Sequence, residues 1–289
     1  MKTPLRYPGG KSRAVKTLME FIPDDCGELC SPFLGGGSFE LALAEKGIRV
    51  HAYDAFKPLI WFWEAILKDP NKLATMADWY RHKKTYKYTK PGVDKEGNLY
   101  PEEKLRQKGL SEKDFYRFRE EILFALQSNH PFTFDAAAKV YAINRSSFSG
   151  ATFSGGFSER ASYARFTDTQ IKYVRNFKVD NFTVKRADFK DAIKKHKDCY
   201  FYLDPPYFLD TARAKLYGVE GDMHSLFPHM ALYSILRKRK NWILSYNNCE
   251  EIRSLYRDYK IHEASWAYGM NNSKKSSEII ITNLTNSPV

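Results

Sequence analysis

Residues 27–54 read GELCSPFLGGGSFELALAEKGIRVHAYD. Leu29 and Cys30 lie in a short apolar run of strand length that ends at Phe33, and three glycines, Gly35 to Gly37, follow. Ser38 stands where an N-cap belongs, ahead of the helical segment FELALAEK, and Gly47 stops that helix. A second strand, IRVHAY, then runs to Asp54. A strand that turns through glycines into a helix points the helix N-terminus at a ligand, and positions without side chains let the backbone approach it. An acid at the end of the second strand, roughly 20 residues on, is placed to accept hydrogen bonds from ribose hydroxyls. Asp54 is that acid. The G-x-G-x-x-G pattern is absent, which argues against NAD. A glycine turn alone is more often structural; paired with an acidic strand end it points to a nucleotide-type ligand.

The alternation continues toward the C-terminal half. CYFYLDPPY (199–207) is a continuous apolar run of strand length, as for a strand covered on both faces. HMALYSILRKRK (229–240) reads as an amphipathic helix and NWILSYNN (241–248) as the next strand. EIIITNL (278–284) is a β-branched strand that pairs in a hairpin with HEASWAYG (262–269). Alternating strands and helices imply an α/β fold with a parallel or mostly parallel sheet. The stretch from Asp78 to Phe166 breaks the rhythm. It opens with RHKKTYKYTKPGVDKEGN, continues with the aromatic, helical KDFYRFREEILFALQ, and closes with the Ser/Gly-rich NRSSFSGATFSGGFSERAS. It reads as an insertion, mostly helical, that divides the chain into 1–77, 78–166 and 167–289. The lysines and tyrosines of 80–90 are interleaved, which suits phosphate contacts and base stacking, and equally suits a solvated loop.

Composition bounds the function. Of 289 residues 43% are hydrophobic, with 20 Phe, 19 Tyr and 5 Trp, enough for a sizeable core. The net charge of +12 suits a polyanion such as nucleic acid, or a lysine-rich solvated surface. No stretch approaches the roughly 18 apolar residues of a membrane span, and MKTPLRYPGGKSR lacks the apolar run of a signal peptide. Cys26, Cys30, Cys199 and Cys249 form no ligand pattern and read as buried thiols. The expected compartment is the cytoplasm, or the nucleus in a eukaryotic host. No metal is expected: His224 and His229 lack a completing ligand set and read as surface or helix-capping residues.

Asp204-Pro205-Pro206-Tyr207 is the sharpest signal. A given tetrapeptide arises by chance in a chain this long about two times in a thousand, so the match carries weight. It sits at the carboxyl end of a buried strand, where open α/β sheets place ligands. An adenine N6 is a poor nucleophile because its lone pair is delocalised into the ring. Asp204 and the carbonyl of Pro205 can each accept one amino hydrogen and draw the nitrogen toward tetrahedral geometry. The prolines fix the turn, and Tyr207 offers a flat face for an extruded base.

With these motifs in this order, the chain resembles the Dam-type (D12 class) N6-adenine DNA methyltransferases over most of its length. The resemblance implies a Rossmann-like, S-adenosylmethionine-dependent methyltransferase sheet carrying an inserted target-recognition domain. It implies catalytic roles for Asp204, Pro205, Pro206 and Tyr207. RYPGGK is similar to the family's N-terminal motif, so Tyr7 and Lys11 line the cofactor pocket, with Arg6 and Lys11 facing DNA. PFLGGGS resembles the methionine-moiety loop (Phe33, Gly35, Gly37), Asp54 the ribose-binding acid, and Asp188-Phe189 the contact to the cofactor's adenine, with Asp204 beside it. SKKSSEIIITN resembles the closing hairpin, placing Lys274 and Lys275 on the DNA side. In the insertion Arg145, Ser146, Ser147, Arg160 and Arg165 are the implied DNA contacts. Members reading GATC carry a segment resembling NR-x-x-FNGL-x-R-x-N; here Asn144 and Arg145 are kept but the later Arg and Asn are missing, so GATC specificity does not follow.

The implied activity is that of a site-specific adenine DNA methyltransferase acting on double-stranded DNA after base flipping. A restriction endonuclease acting as a separate chain is a compatible partner. The competing functions are methylation of cytosine N4 in DNA or of adenine in RNA, and DNA binding without catalysis. The cytosine enzymes usually show Ser ahead of Pro-Pro-Tyr, so Asp204 favours adenine.

Overall fold

The computed structural model describes residues 1–93, 99–208, 227–267 and 275–284, with side chains except those of 88–105 and 265–277. In chain order its strands are β1 (Glu28–Ser31), β2 (Arg49–Asp54), β3 (Lys84–Val93), β4 (Leu99–Gly109), β5 (Phe182–Arg186), β6 (Tyr200–Leu203), β7 (Trp242–Asn247), β8 (Lys260–Ala267) and β9 (Lys275–Thr282). The helices are α1 (Val15–Met19), α2 (Ser38–Glu45), α3 (Lys57–Lys68), α4 (Pro70–Arg81), α5 (Glu112–Gln127), α6 (Phe134–Ser146), α7 (Glu159–Arg165), α8 (Asp168–Arg175), α9 (Phe189–Lys195), α10 (His229–Leu236) and α11 (Glu250–Leu255). The chain forms two compact units, one of residues 1–64 with 178–289 and one of residues 65–177.

The first unit is built on a seven-stranded sheet in the order β5-β2-β1-β6-β7-β9-β8. The pairs β5–β2, β2–β1, β1–β6 and β6–β7 are parallel, and β9 runs antiparallel to both β7 and β8. This is the Rossmann-like architecture that the sequence implies. From β1 the chain steps outward to β2 and β5, then returns to the other side of β1 with β6. That reversal opens a crevice at the carboxyl ends of β1 and β6, where doubly wound sheets bind ligands. Both signature turns, the glycine turn and Asp204–Tyr207, leave the sheet there.

Alternation within each strand sorts the core. Cys30, Phe201, Leu203, Trp242, Leu244, Tyr246, Ile279 and Ile281 meet Phe189, Leu232, Leu236 and Ile252 of the covering helices in one buried cluster. Each such side chain contributes about 1.5–3 kcal/mol through removal from water. Tyr202 points the opposite way, onto Phe39 of α2 at 4.6 Å between ring centroids. The antiparallel register puts Ile280 opposite Ser245 and Glu278 opposite Asn247, so Glu278 shares the second face.

One local reading changes here. The residue capping α2 is Gly37 in the left-handed region (φ 67°), and Ser38 is already helical. The Ser38 hydroxyl lies 2.9 Å from that of Ser12 and makes no cap. Gly47 ends the segment as expected, with φ 88°.

The second unit contains the antiparallel β3–β4 hairpin and the helices α4 to α8. The lysine–tyrosine stretch is therefore a strand rather than a loop. Tyr86 is buried and donates to the Leu110 carbonyl at 2.7 Å, while Lys84, Thr85 and Lys87 are exposed. Side chains accept hydrogen bonds from the first turns of α4 to α8: Asp69, Ser111, Thr133, Ser158 and Thr167 are the N-caps.

Candidate active site

The sequence Arg6-Tyr7-Pro8-Gly9-Gly10-Lys11 closes into a turn, with Gly10 N–H donating to the Tyr7 carbonyl at 3.1 Å and Gly9 at φ 70°. The turn drives Lys11 inward, leaving it 5% exposed. Its ammonium lies 2.7 Å from Asp204 Oδ1, donates to the Tyr207 hydroxyl at 2.8 Å and to the Gly9 carbonyl at 3.3 Å, and stands 3.8 Å from Glu278 Oε2. Two residues that the sequence separates by 196 positions, Lys11 and Tyr207, thus belong to one constellation. Burial raises the Asp204 carboxyl above its ordinary range, and Lys11 opposes that rise.

Tyr7 also explains the glycines. A Cβ on Gly36 would sit 2.8 Å from Tyr7 Cβ, one on Gly35 3.0 Å from its ring, and one on Gly37 2.8 Å from the Trp63 ring. The close approach that the structure shows is therefore to these two aromatic side chains. Gly35 and Gly37 also have positive φ, which a side chain would strain. Gly35 N–H donates to Asp54 Oδ2 at 3.0 Å and Phe56 N–H to Oδ1 at 2.9 Å, so the glycine turn and the end of β2 hold the carboxylate between them. Burial raises the Asp54 carboxyl, and the backbone donors counter it.

Beside the glycine turn, Phe33 stacks on Phe189 at 5.5 Å and meets Phe227 edge-on at 5.6 Å. Asp188 is exposed and caps α9 by accepting from Lys190 N–H at 2.9 Å. Pro205 is buried; Pro206 and Tyr207 are half-buried. Asn247 clamps the residue after the tetrapeptide, accepting from Phe208 N–H at 3.0 Å and donating to its carbonyl at 2.8 Å. His229 packs against Phe208 and Phe227 and bonds the Tyr246 hydroxyl; it neither caps α10 nor lies loose on the surface. His224 lies outside the described residues.

Beneath Asp204 lies a polar layer that the motifs did not reveal. Glu40 of α2 is buried and accepts from Ser31 Oγ of β1 at 2.7 Å. Burial pushes its carboxyl up to about 7, and the neighbouring Asp204 adds to the rise. Glu278 of β9 is 1% exposed. The only sequence signal for either residue was an acid breaking an apolar face.

In the second unit Arg145, Ser146 and Ser147 are buried. Arg145 Nε donates to the Arg165 carbonyl at 2.7 Å, and Nη2 joins it. Ser147 Oγ accepts from Thr152 N–H and donates to the Asn144 carbonyl, both at 3.1 Å. In this structure Ser147 braces the 144–158 turn from within, Arg145 ties it to the end of α7, and Ser146 is buried beside them, so none of the three lines the surface. The turn they support exposes Phe148, at 70%, on a backbone fixed by positive φ at Ser149, Gly150 and Thr152. Arg160 and Arg165 are exposed, and Arg6 is half-buried. Lys274, and the side chain of Lys275, lie outside the described residues.

Among the described residues no helix is long and apolar enough to cross a membrane. The family model for the D12 class N6 adenine-specific DNA methyltransferases matches residues 7–270, from Tyr7 of the N-terminal turn to beyond β8.

Proposed function

The chain belongs to the D12 class of N6 adenine-specific DNA methyltransferases, and on that premise we propose that it methylates adenine N6 in double-stranded DNA, using S-adenosylmethionine and the Asp204–Tyr207 turn. The observation that carries the proposal is the clasp of Lys11 on Asp204 and Tyr207 at the switch point of the sheet.

The residues around the crevice fit the cofactor. Asp54 sits at the end of β2 with both oxygens oriented by backbone N–H groups, which suits ribose hydroxyls. Phe33 and Phe189 supply an apolar wall, Gly35 to Gly37 with Tyr7 and Lys11 form the adjoining turn, and Asp188 stands at the N-terminus of α9. When bound, S-adenosylmethionine supplies an electrophilic sulfonium methyl group.

This chain's residues prepare the nucleophile. The Asp204 carboxylate, whose charge Lys11 favours against burial, accepts one N6 hydrogen, and the Pro205 carbonyl accepts the other. The lone pair is thereby localised on nitrogen. Inside a duplex the base is paired and stacked, so it must be extruded, at a cost of a few kcal/mol, and lie against the Tyr207 ring. Lys11 and Asn247 hold that ring and the chain beyond it. In the second unit Arg160 and Arg165 contact phosphate, and Phe148 offers an exposed ring for stacking against a base. Arg6, Lys274 and Lys275 complete the basic contacts of the first unit.

Expression in a host lacking adenine methylation, followed by modification-sensitive sequencing, tests the proposal. N6-methyladenine should appear in one short sequence context and vanish with Asp204→Ala. A genome without modified adenine, from a soluble and folded protein, would sink it.

A further inference from the structure

We propose that Glu278 is a positioning residue of this site: its carboxylate anchors the Lys11 ammonium from the sheet side and divides that cation's charge between two acids. The inference rests on the proposed adenine methylation and adds a residue that no motif assigns.

Lys11 is 5% and Glu278 1% exposed, and charges this deep persist only when paired. Lys11 Nζ is 2.7 Å from Asp204 Oδ1 and 3.8 Å from Glu278 Oε2. The first is a close ion pair and the second a looser one, so one ammonium is shared between two carboxylates. Asp204 follows β6 on a turn, whereas Glu278 belongs to the paired body of β9, opposite Asn247. Glu278 is therefore the more rigid of the two partners. Held by it, the ammonium cannot follow Asp204 or Tyr207 when either engages a base.

The sharing has an electrostatic consequence. Among the described residues, Glu278 from β9, Glu40 from α2, Tyr202 from β6, Tyr207 from the turn and Tyr246 from β7 face the Lys11–Asp204 pair. Glu278 and Glu40 are the acids among them; Glu40, pushed up to about 7, is mostly uncharged on the acid side of neutrality, so Glu278 is the acid that competes with Asp204 for the ammonium. Removing the charge of Glu278 leaves Lys11 more fully committed to Asp204 and makes that carboxyl more acidic. The arrangement thus trades some ease of ionisation for a fixed cation.

The test is the single-turnover rate of methylation of a duplex oligonucleotide between pH 5 and 9, for wild type, Glu278→Gln and Glu278→Asp. For Glu278→Gln the acid limb of the rate should move down by roughly half a pH unit or more. The plateau should fall about five- to tenfold as Tyr207 loses its fixed partner, while KM for DNA stays within about twofold. Glu278→Asp keeps the charge but withdraws it, so its limb should move the same way by less; it carries the test if the Gln variant does not fold. A lower plateau with an unmoved limb in the folded variants would mean a structural role only, and overturns the proposal, as does wild-type behaviour throughout. A wild-type protein that transfers no methyl group overturns the adenine reading and this inference with it.

Discussion

Asp204 works under two opposed influences, burial that favours the protonated carboxyl and a buried ammonium that favours the carboxylate. Truncation removes the acceptor and leaves Lys11 with a weaker set of partners. Asp204→Ala should lower the methylation rate by at least 10²–10³-fold, by about the loss of one oriented transition-state partner, with DNA affinity within about twofold in a binding titration. Retention of a large fraction of wild-type turnover would remove Asp204 from the chemistry. Asp54 has a double duty, because its oxygens also satisfy the N–H groups of Gly35 and Phe56. Asp54→Ala should weaken S-adenosylmethionine binding by about tenfold or more in calorimetry. It should also cost about 1–3 kcal/mol of stability through the orphaned donors. An unchanged cofactor affinity would remove the ribose assignment.

At the scale of elements, the contact between α2 and β1 contains a pH-dependent weakness. Glu40 is buried against Ser31, with its carboxyl raised from 4.5 to about 7. Between those values the unfolded chain releases a proton that the folded protein keeps. Stability therefore falls as pH rises through this window, and the full deficit, about 3 kcal/mol, is present above pH 7. Glu40→Gln cannot ionise, yet its amide oxygen still accepts the Ser31 hydroxyl. Thermal melts should find the variant close to wild type at pH 5 and clearly more stable at pH 8. An equal difference at both pH values would show that ionisation of Glu40 plays no part. The neighbouring glycine turn is constrained by shape instead of charge. At Gly36 a methyl group would press on Tyr7 at 2.8 Å, so Gly36→Ala should displace Tyr7 and weaken cofactor binding more than it lowers the melting temperature.

On the scale of the whole molecule, the net charge of +12 becomes an argument only where strands array it. The β3–β4 hairpin sets Lys87 directly opposite Arg106, and both are exposed. Like charges paired across strands cost stability unless an anion relieves them. Replacing Lys83, Lys84 and Lys87 with Gln should weaken binding to all DNA sequences alike and flatten log K against log salt by about 0.9 for each phosphate that is no longer neutralised. An unchanged slope would reduce the hairpin to a solvated surface. What the sequence determined by itself was local: the strand–glycine–helix–strand unit of 27–54, the apolar run ahead of Asp204 and the β-branched strand near the end. Periodicity and turn chemistry are written in neighbouring residues, and the structure forms those elements at the expected positions. The lysine-rich stretch was ambiguous because its alternation is carried by Lys, Thr and Tyr rather than by apolar residues; pairing with β4 made it a strand. Arg145 looked like a surface cation because charge is visible in sequence and burial is not; the fold turns it inward onto the Arg165 carbonyl. Glu40 and Glu278 were illegible for the same reason. Only the strand order, which sets β6 beside β1 and brings β9 against β7, decides that Lys11, Asp204 and Glu278 meet, since a buried ion pair is made by distance in space and not by separation along the chain.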